Sequence, residues 1–279
     1  MENHTYEEKK KRLLDRIGEL CQEDICLAFS GGVDSSLLLK LLRNQAKERG
    51  SRVYAVTFAT KLHPSCDIEN ARKVAGELGG EHAVLEIDEL EQKEIRNNPP
   101  NRCYLCKKHL FSRLKDFGRE KGAALCLDGT NGDDRKEYRP GLQALKELSV
   151  ISPLAETGFT KKEVRRLAEE YGISCAERPS APCMATRLPY GAEIDYELLG
   201  RIASGEELLR SFLGGNIRLR VHGEIVRIEI DKGRFSEFLA KGDEITAALK
   251  KAGFSYITLD MEGFRSGSMD IHMNYPEAL

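Results

Sequence analysis

Between residues 30 and 36 the chain reads SGGVDSS, set between a short apolar run, DICLAF at 24–29, and a long stretch of helical spacing that begins near Asp34. Glycines let a backbone turn tightly out of a strand, and a helix that starts at the turn aims its first amides at whatever lies there. Gly31 and Gly32 would offer N–H groups to an anion, and Ser30, Ser35 and Ser36 would offer hydroxyls, so the segment reads as a phosphate receptor at a strand-to-helix junction. It lacks the lysine that closes the GxxxxGK[ST] loop of nucleotide triphosphatases. A plain glycine turn capped by Asp34 and the serines is the competing reading.

The surrounding pattern supplies a fold for such a loop. Apolar spacing predicts helices at 7–21, 34–49, 67–79, 104–121, 136–147 and 161–171, alternating with strands at 24–29, 52–58, 82–88, 124–128 and 149–152. This alternation implies an α/β domain on a parallel five-stranded sheet covered on both faces, spanning 1–180. The proline-rich RPSAPCMATRLPYG at 178–191 breaks the pattern. A smaller α+β domain, 181–279, follows, with helices near 195–212 and 234–251 and strands at RLRVHG, IVRIEI and 255–260.

With 279 residues, 41% of them apolar, the chain can bury a large core. Its 43 basic and 45 acidic side chains leave a net charge of -2, without the basic excess of a protein built around nucleic acid. The charged N-terminus has no apolar signal core and no later stretch approaches a membrane span, from which a cytoplasmic location is expected. Eight cysteines in that setting read as core thiols, metal ligands or catalytic groups.

Cys103 and Cys106 form a CxxC in NPPNRCYLCKKHL, between a proline turn and a helix, with Arg102, Lys107 and Lys108 nearby to favour thiolates. Such a pair can be a redox dithiol, half a zinc site or two ligands of an iron–sulfur cluster. Cys183 stands in APCMATRLPYG with Arg187 one turn further on, the setting of a reactive thiol. Cys26 and Cys126 lie inside strands as core thiols, while Cys21, Cys66 and Cys175 have no distinguishing context. In the small domain Arg218 and Arg220 alternate on one strand and share a face. Their forks suit phosphate or carboxylate; a solvated face with cross-strand ion pairs is the alternative.

The SGGVDSS loop resembles that of the PP-loop ATP pyrophosphatases, which cleave ATP between the α and β phosphates and adenylylate an acceptor. That resemblance implies ATP bound through Ser30, Gly31, Gly32, Asp34, Ser35 and Ser36. It also implies adenine against the backbone of Thr57 and Phe58, the nucleotide against Gly129, and Mg²⁺ near Asp34 and Asp133, the last from DGTNGDD at 128–134.

SGGVDSS, CYLCK, DGTNGDD, YRPG (138–141) and PCMATRLPYG (182–191) together resemble the LarE family over essentially the whole chain. The resemblance implies an ATP-dependent sulfurtransferase that adenylylates the carboxylates of pyridinium-3,5-biscarboxylic acid mononucleotide and converts them to thiocarboxylates for a nickel-pincer cofactor. It implies that Cys183 gives up its own sulfur, or that Cys103, Cys106 and Cys183 hold a [4Fe-4S] cluster whose open iron carries an exchangeable sulfide. The two additional thiols favour the cluster. Arg187 then belongs to the catalytic group, Arg218 and Arg220 hold the substrate, and Glu229 orients them. A homo-oligomer, a sulfide or other sulfur donor, and no nucleic-acid or membrane partner complete the implied picture. Rival readings are a PP-loop tRNA thiolase, an ammonia-dependent amidotransferase, and a nucleotide-binding module with a structural CxxC.

Overall fold

The computed structural model describes residues 5–63, 66–134, 140–173, 183–265 and 267–270, without the side chains of 66 and 67. The expectations made for 136–139, for Tyr138, for Cys175, for Pro182 and for the Cys66 side chain fall outside that set. The described residues form two compact units, one from Met1–Glu91 and Cys103–Ala181, the other from Gln92–Arg102 and Pro182–Pro276. The second unit thus draws on two separate stretches of the chain.

In the first unit the strands β1 (Ile25–Ala28), β2 (Val53–Thr60), β3 (Glu81–Ile87) and β4 (Leu125–Leu127) form one parallel sheet in the order β3-β2-β1-β4. The helices are α1 (Tyr6–Leu20), α2 (Val33–Arg49), α3 (Cys66–Glu77), α4 (Arg102–Lys121), α5 (Gly141–Glu147), α6 (Pro153–Glu156) and α7 (Lys161–Glu170). The sheet has four strands where the sequence implied five. The segment expected as a strand at 149–152 makes a single parallel bridge, Leu127 to Ile151. Ser149 enters it in the left-handed region (φ 54°), and Pro153, which has no N–H, begins α6 directly after it, so no ladder can extend.

Side chains alternate across the pleat, and β1 shows the consequence. Ile25 and Leu27 join Leu37, Leu38 and Leu41 of α2, Leu13 and Ile17 of α1, and Val164 and Leu167 of α7 in one layer. Cys26 turns the other way, into a layer with Tyr54, Val56, Cys126 and, from α4, Phe111 and Leu114. Because α2 is wedged between the sheet and two other helices, its LLLKLL run is apolar nearly all round rather than along one stripe.

In the second unit β5 (Ile217–His222) pairs antiparallel with β6 (Ile225–Ile230), which pairs parallel with β7 (Tyr256–Leu259), and α8 (Tyr196–Leu213) packs on β5. The single helix expected at 234–251 is two, α9 (Phe235–Ala240) and α10 (Gly242–Lys251). Lys241 leaves helical geometry (φ -103°, ψ 14°), its amide bonds back to Glu237 and Phe238, and its ammonium bonds the Phe212 carbonyl at 2.7 Å. Glycine at 242 gives little propensity to carry a helix across that point. Among the described residues no helix is long and apolar enough to cross a membrane.

Candidate active site

The strand order reverses between β1 and β4, and in an open parallel sheet ligands settle at the carboxyl ends of the strands where that happens. The SGGVDSS loop leaves β1 at this point. Gly31 sits in the left-handed region (φ 69°), where a Cβ would also come within 2.8 Å of the Ala71 Cα, so glycine is required twice over. Gly32 is the N-cap of α2 and supplies no side-chain cap, which leaves the first amides of the helix for an anion. The serines do not cap the helix but brace the loop. Ser35 Oγ donates to the Gly32 carbonyl (3.1 Å) and accepts from the Ser30 amide (3.3 Å), and Ser30 Oγ accepts from the Gly32 amide (3.3 Å). The hydroxyl of Ser36 is buried with no hydrogen-bond partner among the described residues. An uncapped helix start and an orphaned hydroxyl are features that a bound phosphate chain would satisfy.

The segment after β4 faces the same loop. A Cβ on Gly129 would lie 3.1 Å from the Ser35 amide nitrogen and 3.2 Å from the Asp34 Cβ, so its backbone backs closely onto the start of α2. Asn131 Nδ2 donates to Asp34 Oδ1 (3.2 Å), and the Lys161 ammonium pairs with the other oxygen of Asp34. The Lys161 amide donates to Asp133 Oδ2 (2.8 Å). Lys161 therefore gathers both carboxylates that the sequence placed near magnesium. One or two carboxylates beside phosphate oxygens is the donor set Mg²⁺ takes, so the residues fit the ion. Replacing Lys161 with methionine is expected to lower kcat/KM for ATP ~10- to 100-fold, the worth of one charge-assisted hydrogen bond of about 1.5–3 kcal/mol. Initial rates against ATP concentration measure it.

β2 runs on to Thr60, so Thr57 and Phe58 lie inside the strand rather than at its end; the Thr57 side chain is buried, donating to the Phe29 carbonyl (2.7 Å) with His82 Nε2 at 2.8 Å, while Phe58 packs edge-on against Phe111 (5.7 Å). Burial holds the His82 imidazole below its usual range, so it stays neutral.

Cys103 and Cys106 occupy the first turn of α4, the former exposed and the latter partly so. The cations that the sequence set beside them each have a partner of their own. Lys108 bonds Glu147 (2.8 Å) and the Tyr104 hydroxyl (2.9 Å), Lys107 lies 3.6 Å from Asp128, and Arg102 donates to Asn98. Asp128 also accepts from Thr130 and Ser152, each at 2.5 Å, so α4 is linked through Lys107 to the strand end beside Gly129.

Cys183 belongs to the second unit and is half-buried at the start of a short 3₁₀ turn, Met184–Arg187. Its carbonyl accepts from the Thr186 hydroxyl (2.7 Å), the Thr186 amide (3.2 Å) and Arg187 (3.3 Å). Arg187 is 2% exposed and forks onto Glu206, Nε to Oε1 at 2.8 Å and Nη2 to Oε2 at 3.0 Å. Arg220 reaches the Thr186 carbonyl (2.8 Å) and pairs with the fully buried Glu229 (3.1 Å), which also meets Arg227 (3.3 Å). Arg218 is half-buried, its guanidinium 5.3 Å from the Phe264 ring, and desolvation pulls its pKa down. Glu229 thus orients Arg220 and Arg227 directly. Among the described residues no group of three or more His, Cys, Asp or Glu could hold a metal ion.

Burial separates Cys21, Cys26 and Cys126 from these three. It pushes Cys21 up to about 11 and Cys26 up to about 12, with Cys126 raised as well, so all stay protonated near neutrality. In native protein, iodoacetamide is expected to label Cys103, Cys106 and Cys183 on the order of 100-fold faster than Cys21, Cys26 or Cys126, as read by peptide mass spectrometry over time.

Sequence reasoning missed Lys161, Asn131, Asp128, Glu206 and Asn98. Lys161 follows the Thr160 cap, whose box with Glu163 was legible, and a cation at a helix start facing a strand end was the available signal. Glu206 carries no local sign at all.

The asparagine synthase family matches residues 20–98, the stretch that holds β1 to β3 and the phosphate loop. A tRNA-specific 2-thiouridylase of Rickettsia felis is 31% identical over a region covering 57% of this chain and 53% of that protein. An uncharacterized protein of Synechocystis sp. is 35% identical over 95% of this chain and 97% of its own length. The pyridinium-3,5-bisthiocarboxylic acid mononucleotide synthase of Lactiplantibacillus plantarum is 35% identical over 95% of both chains. With a match that runs end to end through both units, the chain belongs to the LarE family of ATP-using PP-loop sulfurtransferases.

Proposed function

We propose that this enzyme adenylylates the carboxylates of pyridinium-3,5-biscarboxylic acid mononucleotide and replaces them with thiocarboxylates, as a step toward a nickel-pincer nucleotide cofactor. The observation that carries the proposal is the end-to-end similarity to the Lactiplantibacillus plantarum synthase, because it takes in the phosphate loop and the Cys183 turn alike. A substrate carboxylate oxygen attacks the α phosphorus of ATP, the bond to the bridging oxygen breaks, and pyrophosphate leaves with the electron pair. The uncapped amides at the start of α2 and the Lys161 ammonium receive that charge, with Asp34 and Asp133 available to Mg²⁺. A sulfur nucleophile then attacks the acyl carbon and AMP leaves.

Two sources of sulfur are consistent with these residues. Cys183 can attack as a thiolate; loss of its Cα proton then breaks its Cβ–S bond, leaving dehydroalanine and the thiocarboxylate. The thiolates of Cys103, Cys106 and Cys183 have the donor chemistry of a three-cysteine [4Fe-4S] site, and such a cluster, when bound, supplies an exchangeable sulfide. We favour the second for the donor chemistry of the CxxC, with Cys103 exposed and Cys106 partly so near the start of α4. Arg218 and Arg220 hold the mononucleotide phosphate, the latter oriented by Glu229 of β6. We further propose a cytoplasmic homo-oligomer fed by a sulfide donor. A tRNA thiolase is the reading the thiouridylase similarity favours, but that similarity stops short of the whole chain, and a net charge of -2 offers little to a phosphate backbone.

The test is anaerobic purification with iron and sulfide analysis, followed by incubation with ATP and the biscarboxylated mononucleotide. Pyrophosphate and thiocarboxylate should appear together. Pyrophosphate release that ignores the mononucleotide, or tRNA binding that weakens steeply with salt, overturns the proposal.

A further inference from the structure

The turn that carries Cys183 is not held by a strand ladder or a long helix, so its place depends on what its carbonyls meet. Asn98 meets three of them. Its amide nitrogen Nδ2 lies 2.8 Å from the Pro189 carbonyl, 3.1 Å from that of Leu188 and 3.5 Å from that of Ala185. The side chain is fully buried, and the residue sits in the left-handed region (φ 44°), which asparagine tolerates better than most residues. Arg102, itself buried, donates to Asn98 Oδ1 and so determines which end of the amide faces the turn. Two backbone bonds flank the contact, Gly191 N–H to Asn98 O (3.1 Å) and Ile194 N–H to Arg96 O (2.7 Å). Arg187 and Arg220 hold the Cys183 and Thr186 carbonyls of the same turn.

We propose that Asn98 is a positioning residue for sulfur transfer: it fixes where the Cys183 thiol is presented by fastening its turn to the chain segment that runs directly into Cys103. The proposal rests on the reading of Cys183 as a sulfur-carrying thiol. An amide suits the task because it can donate to carbonyls at one end while accepting from a guanidinium at the other. Aspartate has the same shape and keeps the Arg102 contact, but turns a lone-pair oxygen toward the three carbonyls. Glycine keeps the backbone conformation and leaves room for water.

The experiment compares Asn98→Asp and Asn98→Gly with the unaltered full-length chain. Thiol alkylation is followed at Cys183 over a range of pH by peptide mass spectrometry, with Cys106 of the same molecule as reference, in protein purified aerobically with chelator. The yield of thiocarboxylate per pyrophosphate is measured separately in anaerobic protein. Asn98→Asp is expected to change the Cys183 to Cys106 rate ratio about fivefold or more and to lower the yield per pyrophosphate about tenfold or more, because small misplacements of a reacting group are costly. Asn98→Gly should fall between it and the unaltered protein. An unchanged ratio and yield in Asn98→Asp, or losses that merely track the folded fraction measured by circular dichroism, overturn the proposal. If the unaltered protein releases no pyrophosphate with the mononucleotide, the functional reading fails, while the alkylation ratio still decides the role of Asn98.

Discussion

Cys183→Ala is expected to lower thiocarboxylate formation by on the order of 10³-fold or more, the scale on which removal of an essential nucleophile acts. The fold of the turn should survive. The Cys183 carbonyl accepts from Thr186 and Arg187, and alanine keeps that carbonyl. The side chain is half-buried rather than core, so stability should change by about 1 kcal/mol or less. Pyrophosphate release should continue, since the amides of the phosphate loop belong to the other unit of the chain. The same measurement on Cys103→Ala and Cys106→Ala separates the two sulfur sources. If a cluster carries the sulfide, each of the three variants loses iron and activity together. If Cys183 is spent, the other two variants still complete one turnover, and the unaltered protein loses the mass of one H₂S at residue 183. Full thiocarboxylate formation by Cys183→Ala would remove this residue from the chemistry altogether.

Arg187→Ala should be the most destabilising single change in the second unit. Arg187 and Glu206 are a forked pair, each 2% exposed, and removing one member of a buried pair strands the other at a cost of about 3–5 kcal/mol. Glu206 would keep Arg210 (3.1 Å) and the Leu219 amide (3.1 Å), which places the expectation at the lower end, about 3 kcal/mol. A fall in the thermal midpoint of about 6–10 °C follows for a chain of this size. Lysine should not rescue it, having no planar fork, whereas the double change Arg187→Ala with Glu206→Leu should recover much of the loss by removing the stranded charge. A loss of sulfur transfer with no change in the midpoint would show instead that Arg187 acts on the reaction and not on the mount.

Both expectations concern one short stretch, PCMATRLPYG, and the two residues were legible in it to different degrees. The cysteine could be singled out because a thiol in a proline-rich loop has few structural reasons to be there. Arg187 could be singled out as well, but as a cation serving the thiol; its partner stands 19 residues further on in a helix with no distinguishing mark. The same holds in the first unit. The tight turn at Gly31 was readable from the glycines, whereas the bracing by Ser30 and Ser35 was not, and Lys161 reaches Asp34 across 127 residues. The strand expected at 149–152 failed for a local reason, the left-handed Ser149 and Pro153 on either side of Ile151, whereas the unbroken helix expected at 234–251 stops where Lys241 meets Phe212, a residue outside any local window.

What the sequence determined by itself is whatever a few consecutive residues settle. The tight turn at Gly31, the capping box at Thr160, the alternation of strand and helix, and the core placement of Cys26 and Cys126 are of this kind. Backbone sterics and side-chain periodicity act over one or two turns, so these features are written locally. Only the tertiary structure decided where the charges go. A buried polar or charged group must find its counterpart wherever folding brings one, and Arg187 with Glu206, Arg220 with Glu229, and Asn98 with the Cys183 turn are meetings that desolvation enforces between segments apart in the chain.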